Sequence, residues 1–390
     1  MNYDVSLIKT QIHKTKGFMN KDFTLGLGII HAEQGEVRAF LPDFVSKMSR
    51  FFKTVILEDG YGKGLGIESE YYTKSPNVLI GSAEEVYAQN FVLVLRYPPE
   101  KYLAMMPPKS CLISMCHFPT RPERRAFLKE RGIEAISLDT ILDDNGQRLV
   151  ENLHSVAWNG CEVAFQVLHE LNPDIGSAHR PPLRVTILGS GGVGTHAVQA
   201  AIRYGDPKIW SEYAAKNIPG NIVRVVDYDL TSHQGYLQEL LKTTILLIDA
   251  TQRSDPSQII VPNSYIALMP KNAVILDLSV DPYDFKQEPH EVKGIEGIPQ
   301  GDLDQYIFPP DDPAWDQLPV GVDTKVRRWV VSCYSWPGIH PRACMLRYGN
   351  QISPLLRRMV AVGGIDKINP GGSFHERALA RGMLKYWSGE

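Results

Sequence analysis

The sequence predicts an α/β protein of two Rossmann-like doubly wound domains with a cleft between them, the C-terminal segment returning to the first domain. Three observations predict it. Residues 183–199, LRVTILGSGGVGTHAVQ, set a β-branched apolar run against a glycine-rich turn and then a helix-like apolar pattern. Upstream, short apolar runs alternate with helical stretches, the arrangement of a parallel sheet covered on both faces. A chain of 390 residues also exceeds what one ordinary core serves.

The elements follow in order. After a polar leader, residues 24–30 read as a first strand; Arg38 then precedes Pro42, Asp43 is a plausible cap, and Phe44, Met48, Phe51 and Phe52 form a helical stripe. Strands follow at 54–57 and 78–80, the second before the helix start Ser82-Ala-Glu-Glu, and at 91–95, which carries Arg96 at its end. Residues 111–116 form another strand with His117 at its end, RPERRAFLKERGI a helix stopped by Gly132, and 134–138 a strand. Ligands in such sheets bind beyond the strand C-termini, so one crevice collects Arg38, Arg96 and His117. A helix over 152–171 opens the second domain. The expected division is 1–152 and 330–390 as a substrate domain, and 153–329 as a dinucleotide-binding domain.

In that second domain Gly189, Gly191 and Gly194 fit the G-x-G-x-x-G spacing. The first glycine permits the turn, the second lets a pyrophosphate approach the backbone, and the third allows close packing of helix on strand. With Ser190, Gly192 and Val193 they form the expected phosphate cradle at a helix N-terminus, with Ala250 after a later strand as a further contact. A strand over 222–226 ends at Asp227, whose carboxylate would bond the ribose hydroxyls and repel the extra phosphate of NADP, favouring NAD. It comes later than usual because DPKIWSEYAAKNIPG intervenes; Asp229 is the rival if the strand runs longer, and a turn-capping role is the alternative. Further strands are expected at 244–248, 273–278 and 329–333, with a short helix or turn over 262–269 between the first two. The strand 273–278 delivers Asp277 and Asp281. Helices follow in the second half of YSWPGIHPRACMLRYGNQISPLL and after INPGGSFHE.

Composition narrows the class. An apolar fraction of 43%, a charged fraction of 22% and a net charge of -3 describe a soluble globular chain with no pull toward nucleic acid or an anionic membrane. Without a membrane-length apolar run or a signal-peptide core, the expected location is cytoplasmic. Five cysteines without a CxxC pair argue against disulfides and structural metal, and Cys111 and Cys161 read as core residues. His31, His340 and His375 lack supporting spacing and read as structural.

Several motifs then come together. GEVRAFLPDFVSKM, ILEDGYGKGLGI, the long stretch from LVLRYPPE to EAISLDTI, NAVILDLSVD and YSWPGIHPRA occur in an order that resembles the alanine dehydrogenase and transhydrogenase N-terminal family, with its relatives saccharopine dehydrogenase and carboxyethylornithine synthase. The resemblance implies that Arg38 binds a substrate carboxylate, that His117 is the catalytic histidine, and that Asp281 closes the active site near the nicotinamide. Arg96 stands where these dehydrogenases carry lysine. Guanidinium stays charged at any working pH, so Arg96 can clamp a carboxylate or polarise a carbonyl but cannot act as general base. The resemblance thus implies an NAD-dependent oxidoreductase acting on an amino or imino acid and its 2-oxo acid, in a homo-oligomer. The alternatives are an opine- or saccharopine-type reductase joining an amino acid to a 2-oxo acid, and a nucleotide-binding homologue without catalysis.

Overall fold

Runs of leucine, valine and isoleucine only four to six residues long are too short for stable helices, and here they pair as strands. The computed structural model describes residues 22–388 except 32, 34 and 287, so the expected leader lies outside the described residues. The chain divides into two compact units. The first holds Met1–Glu33, Val37–Glu151 and Met345–Glu390; the second holds Gln34–Glu36 and Asn152–Cys344.

In the first unit β1 (Thr24–Leu27), β2 (Thr54–Glu58), β3 (Val78–Gly81), β4 (Phe91–Arg96), β5 (Cys111–Met115) and β6 (Glu134–Ser137) form one sheet in the order β3-β2-β1-β4-β5-β6. Every pairing is parallel, with Leu27 opposite Leu57 on one side and Leu93 on the other. Leu25, Leu27, Val92, Leu93, Leu112 and Ile113 are buried, as strands covered on both faces require. The order reverses between β1 and β4, which makes the crevice between their C-terminal ends the switch point where ligands bind in this kind of sheet.

Local chemistry sets the ends. Ser82 caps the helix Ala83–Tyr87 in a capping box with Glu85. At the helix Pro42–Met48 the expected cap is corrected: Leu41 holds the cap position and Asp43 lies in the first turn behind Pro42. Proline suits that place because its missing N–H is one that a helix start leaves unpaired anyway. The first strand stops at Leu27, three residues earlier than expected, because Gly28 leaves the ladder after a last bond to Leu93.

The second sheet comprises β7 (Leu183–Leu188), β8 (Asn221–Val226), β9 (Leu246–Asp249), β10 (Val274–Asp277), β11 (Ile307–Phe308) and β12 (Trp329–Ser332), in the order β11-β12-β10-β9-β7-β8. Only the β11–β12 pair is antiparallel. Apolar clusters cover both faces, one built on the helices Leu153–Leu171 and Gly192–Ile202, the other on Leu237, Leu241, Ile266 and Trp315. The order reverses between β7 and β9. The intervening segment that delays Asp227 is itself helical over Pro207–Ala215. β12 pairs with β10, so the expected boundary at residue 330 moves to Cys344. A four-residue apolar strand looks the same in either sheet, and only its partner tells them apart.

A buried polar layer crosses the C-terminal ends of β9, β10 and β12. Asp277 accepts from the Lys293 ammonium at 2.6 Å and from Ser332 at 3.0 Å, and Lys293 is 1% exposed. Burial works against the Asp277 charge, but Lys293 holds its carboxyl below the usual range. Asp249, its register partner on β9, accepts from the Thr251 N–H and hydroxyl on one oxygen, while the other has no hydrogen-bond partner. Burial, with the neighbouring Asp277 charge, pushes Asp249 up to about 6.

The helix Pro341–Ala361 passes from the second unit into the first, where Phe374–Gly382 and Leu384–Ser388 follow. Met383 makes an antiparallel bridge to Ile136 of β6, Arg377 and Arg381 both bond Asp144, and Arg347 bonds Glu151. Cys111, Cys116, Cys161, Cys333 and Cys344 are buried and are not joined in disulfides among the described residues. Among the described residues no helix is long and apolar enough to cross a membrane.

Candidate active site

In the first unit the strand ends carry the polar groups. β4 ends on Arg96, whose Nε lies 3.3 Å from Glu33. Arg38 sits on the connection from β1 to the helix Pro42–Met48 and is buried. His117 follows β5 with φ +54, a backbone state uncommon outside glycine and one that turns the chain sharply off the strand. Its Nδ1 lies 3.2 Å from Asp139 Oδ2, and its backbone N–H donates to Asp139 Oδ1. Ser137 donates to the same Oδ1 at 2.7 Å and accepts from the Cys116 N–H. Burial opposes the Asp139 charge, yet the hydrogen bonds and charge of His117 and the Ser137 hydroxyl hold it at about 2. Asp139 is therefore an anchored carboxylate that fixes the imidazole by Nδ1 and leaves Nε2 for another partner. The ring is 41% exposed, enough to meet solute.

Asp139 was not among the predicted site residues. It stands 22 positions from its histidine, in a short LDT turn that reads as a strand end.

The second unit gathers the predicted dinucleotide set around the β7–β9 switch point. Gly189 has φ +93, and a Cβ there would lie 2.7 Å from the Ala250 carbonyl. A Cβ on Gly194 would lie 2.1 Å from the Gly189 carbonyl, so only glycine lets helix meet strand. Around Gly191 a Cβ would meet nothing within 4 Å. The three positions thus divide into turn, open approach and close packing, as a pyrophosphate cradle needs. Gly192 and Val193 open the helix that runs to Ile202, and the Ser190 hydroxyl donates to Asp227. Asp227 follows β8, accepts from the Tyr228 N–H, and is held below the usual carboxylate range by Ser190 and that N–H. Farther along the chain, Leu230, His233 and Tyr236 line an open hollow.

Asp281, predicted near the nicotinamide, belongs to this second unit, where it pairs with the buried Arg253 at 2.7 Å. Arg38, Arg96 and His117 thus share one unit, and Asp281 sits with the glycine turn, Asp227 and Ala250 in the other.

Comparison with known proteins decides the family of the front segment, because residues 31–157 match the alanine dehydrogenase/PNT N-terminal domain model. This segment is similar to that domain, and the family model covers about a third of the chain. An alanine dehydrogenase of Bacillus subtilis is 24% identical over 261 residues, 62% of this chain and 67% of that protein. The NAD(P) transhydrogenase subunit alpha of Haemophilus influenzae is 22% identical over 169 residues, 42% of this chain and 33% of that protein. Among solved structures an L-alanine dehydrogenase superposes with a TM-score of 0.68 at 18% identity, covering 94% of this chain and 99% of that one. A transhydrogenase from Sinorhizobium meliloti gives 0.62 at 17%, covering 91% and 97%. The fold is that of the alanine dehydrogenases: two Rossmann-like α/β domains. The matched alanine dehydrogenase/PNT segment contains Arg38, Arg96, His117 and Asp139.

Proposed function

We propose that this protein is an NAD-dependent oxidoreductase of the alanine dehydrogenase type, moving hydride between a nicotinamide and the α-carbon of an amino or imino acid, the imine then taking up water to give a 2-oxo acid and an amine. The observation that carries this reading is the His117–Asp139 pair at a strand rim, inside a segment of that family, with Arg96 at the end of the neighbouring strand.

The glycine turn suits the cofactor: open space at Gly191, a helix start behind it, and an acid at Asp227 for ribose hydroxyls. That acid favours NAD over NADP. When bound, the nicotinamide supplies the hydride acceptor or donor. This chain supplies placement and proton handling. Arg38 and Arg96 hold carboxylate, the bidentate partner that guanidinium suits. His117 takes or gives a proton through Nε2 while Asp139 keeps its ring in one orientation. Asp281, steadied by Arg253, orders the nicotinamide end of the second unit.

A second reading, an opine-type reductase, is favoured by Arg96. With lysine absent, the permanent charge suits a further carboxylate better than proton transfer. NADH oxidation with 2-oxo acids, first with ammonia and then with single amino acids as amine, tests both. Turnover with ammonia supports the first and turnover only with amino acids the second. No oxidation under any combination defeats the enzyme reading.

A further inference from the structure

The first unit holds a second imidazole built like the first. His31 follows β1, and its Nε2 lies 2.6 Å from Oε1 of Glu58 at the end of β2. Glu58 is 6% exposed, and its other oxygen accepts from the Ile29 N–H at 2.8 Å. The ring lies flat on Tyr102, with centroids 4.4 Å apart and planes 8° apart, so its rotation is fixed as well. As with His117, a buried carboxylate anchored by a backbone N–H holds one nitrogen, and part of the ring stays exposed.

In sheet order His31 follows β1, Arg96 ends β4 and His117 follows β5, so the strand that carries Arg96 lies between the two strands, about 10 Å apart, that the imidazoles follow. The gap on the His31 side is the β1–β4 switch point itself. A carboxylate of the chain, Glu33, already lies against Arg96 there.

We infer that the substrate carries a second carboxylate, and that His31, as the imidazolium that donates Nε2–H to Glu58 and Nδ1–H to the substrate, holds it together with Arg96 while His117 serves the reacting carbon. The inference rests on the proposed activity and names its substrate class: a dicarboxylic 2-oxo acid or the amino acid derived from it. His31 is then a specificity residue, and Glu58 with Tyr102 its positioning residues.

Calorimetry with excess NADH, using pyruvate and 2-oxoglutarate as probes, tests this on the full chain. The wild type is expected to bind 2-oxoglutarate about tenfold more tightly than pyruvate, the size of one charge-assisted hydrogen bond. His31→Phe, which keeps the stack on Tyr102, is expected to abolish that margin and to shift pyruvate affinity less than twofold. Equal binding of the two acids by the wild type, a margin that survives in His31→Phe, or a joint loss of both acids in that variant overturns the inference and leaves the dehydrogenase reading standing. If neither acid binds the wild type, the dehydrogenase reading itself fails and takes the inference with it.

Discussion

His117 is held by one carboxylate, and that contact makes two separate demands on Asp139. For catalysis, His117→Ala should lower turnover about a hundredfold or more while NADH affinity, read by fluorescence, stays level. Asp139→Asn should cost about ten- to a hundredfold, because the one amide oxygen is kept by the His117 N–H and the Ser137 hydroxyl, and the NH2 left facing Nδ1 donates where the carboxylate accepted, which reverses the tautomer. For stability, a carboxyl held at about 2 adds stability above its unfolded value near ~3.9 and loses it as pH falls toward 2. The acid limb of a thermal-stability profile should therefore be shallower in Asp139→Asn. An unchanged limb would show that the hydrogen bonds to Asp139 do not survive in solution.

Among elements, the glycine turn offers the sharpest contrast. Gly194→Ala forces a methyl to within 2.1 Å of a backbone carbonyl and should lower stability by about 1–3 kcal/mol, with loss of dinucleotide binding. Gly191→Ala meets open space, so the melting temperature should hold while NADH affinity drops. If both variants melt alike, the division of labour between the two glycines is wrong. This turn was legible because a strand, three spaced glycines and a helix start are all local in sequence. The strands other than β11 were legible for the same reason, to within a few residues at their ends; the two-residue β11 is too short to leave a pattern. His31–Glu58, 27 positions apart, and Lys293–Asp277, 16 apart, were not. Such pairs exist only once the sheet has brought distant strand ends together, and a lone lysine in a polar loop looks solvated until then. His31, read from sequence as structural, gains its interest only from the strand order.

At the scale of the molecule, two units with separate sheets lead to a prediction about fragments. Residues 152–344 form one nearly uninterrupted unit and should fold alone and bind NADH. Residues 1–151 without 345–390 should not fold, because Leu379, Met383 and Leu384 are buried in the first unit. Circular dichroism of the two fragments checks both. The sequence could place the first crossing, at the helix Leu153–Leu171, within a residue. The second crossing was put too early, since β12 carries no mark of which sheet it joins.

The unpartnered oxygen of Asp249 has a consequence of opposite sign to that of Asp139. Raised to about 6, this acid keeps its proton in the folded chain where the unfolded chain has shed it. Its contribution is favourable in mild acid and disappears as the solution is brought from about pH 4 through pH 6. The 152–344 fragment should then melt higher at pH 5 than at pH 8, and Asp249→Asn should level the two.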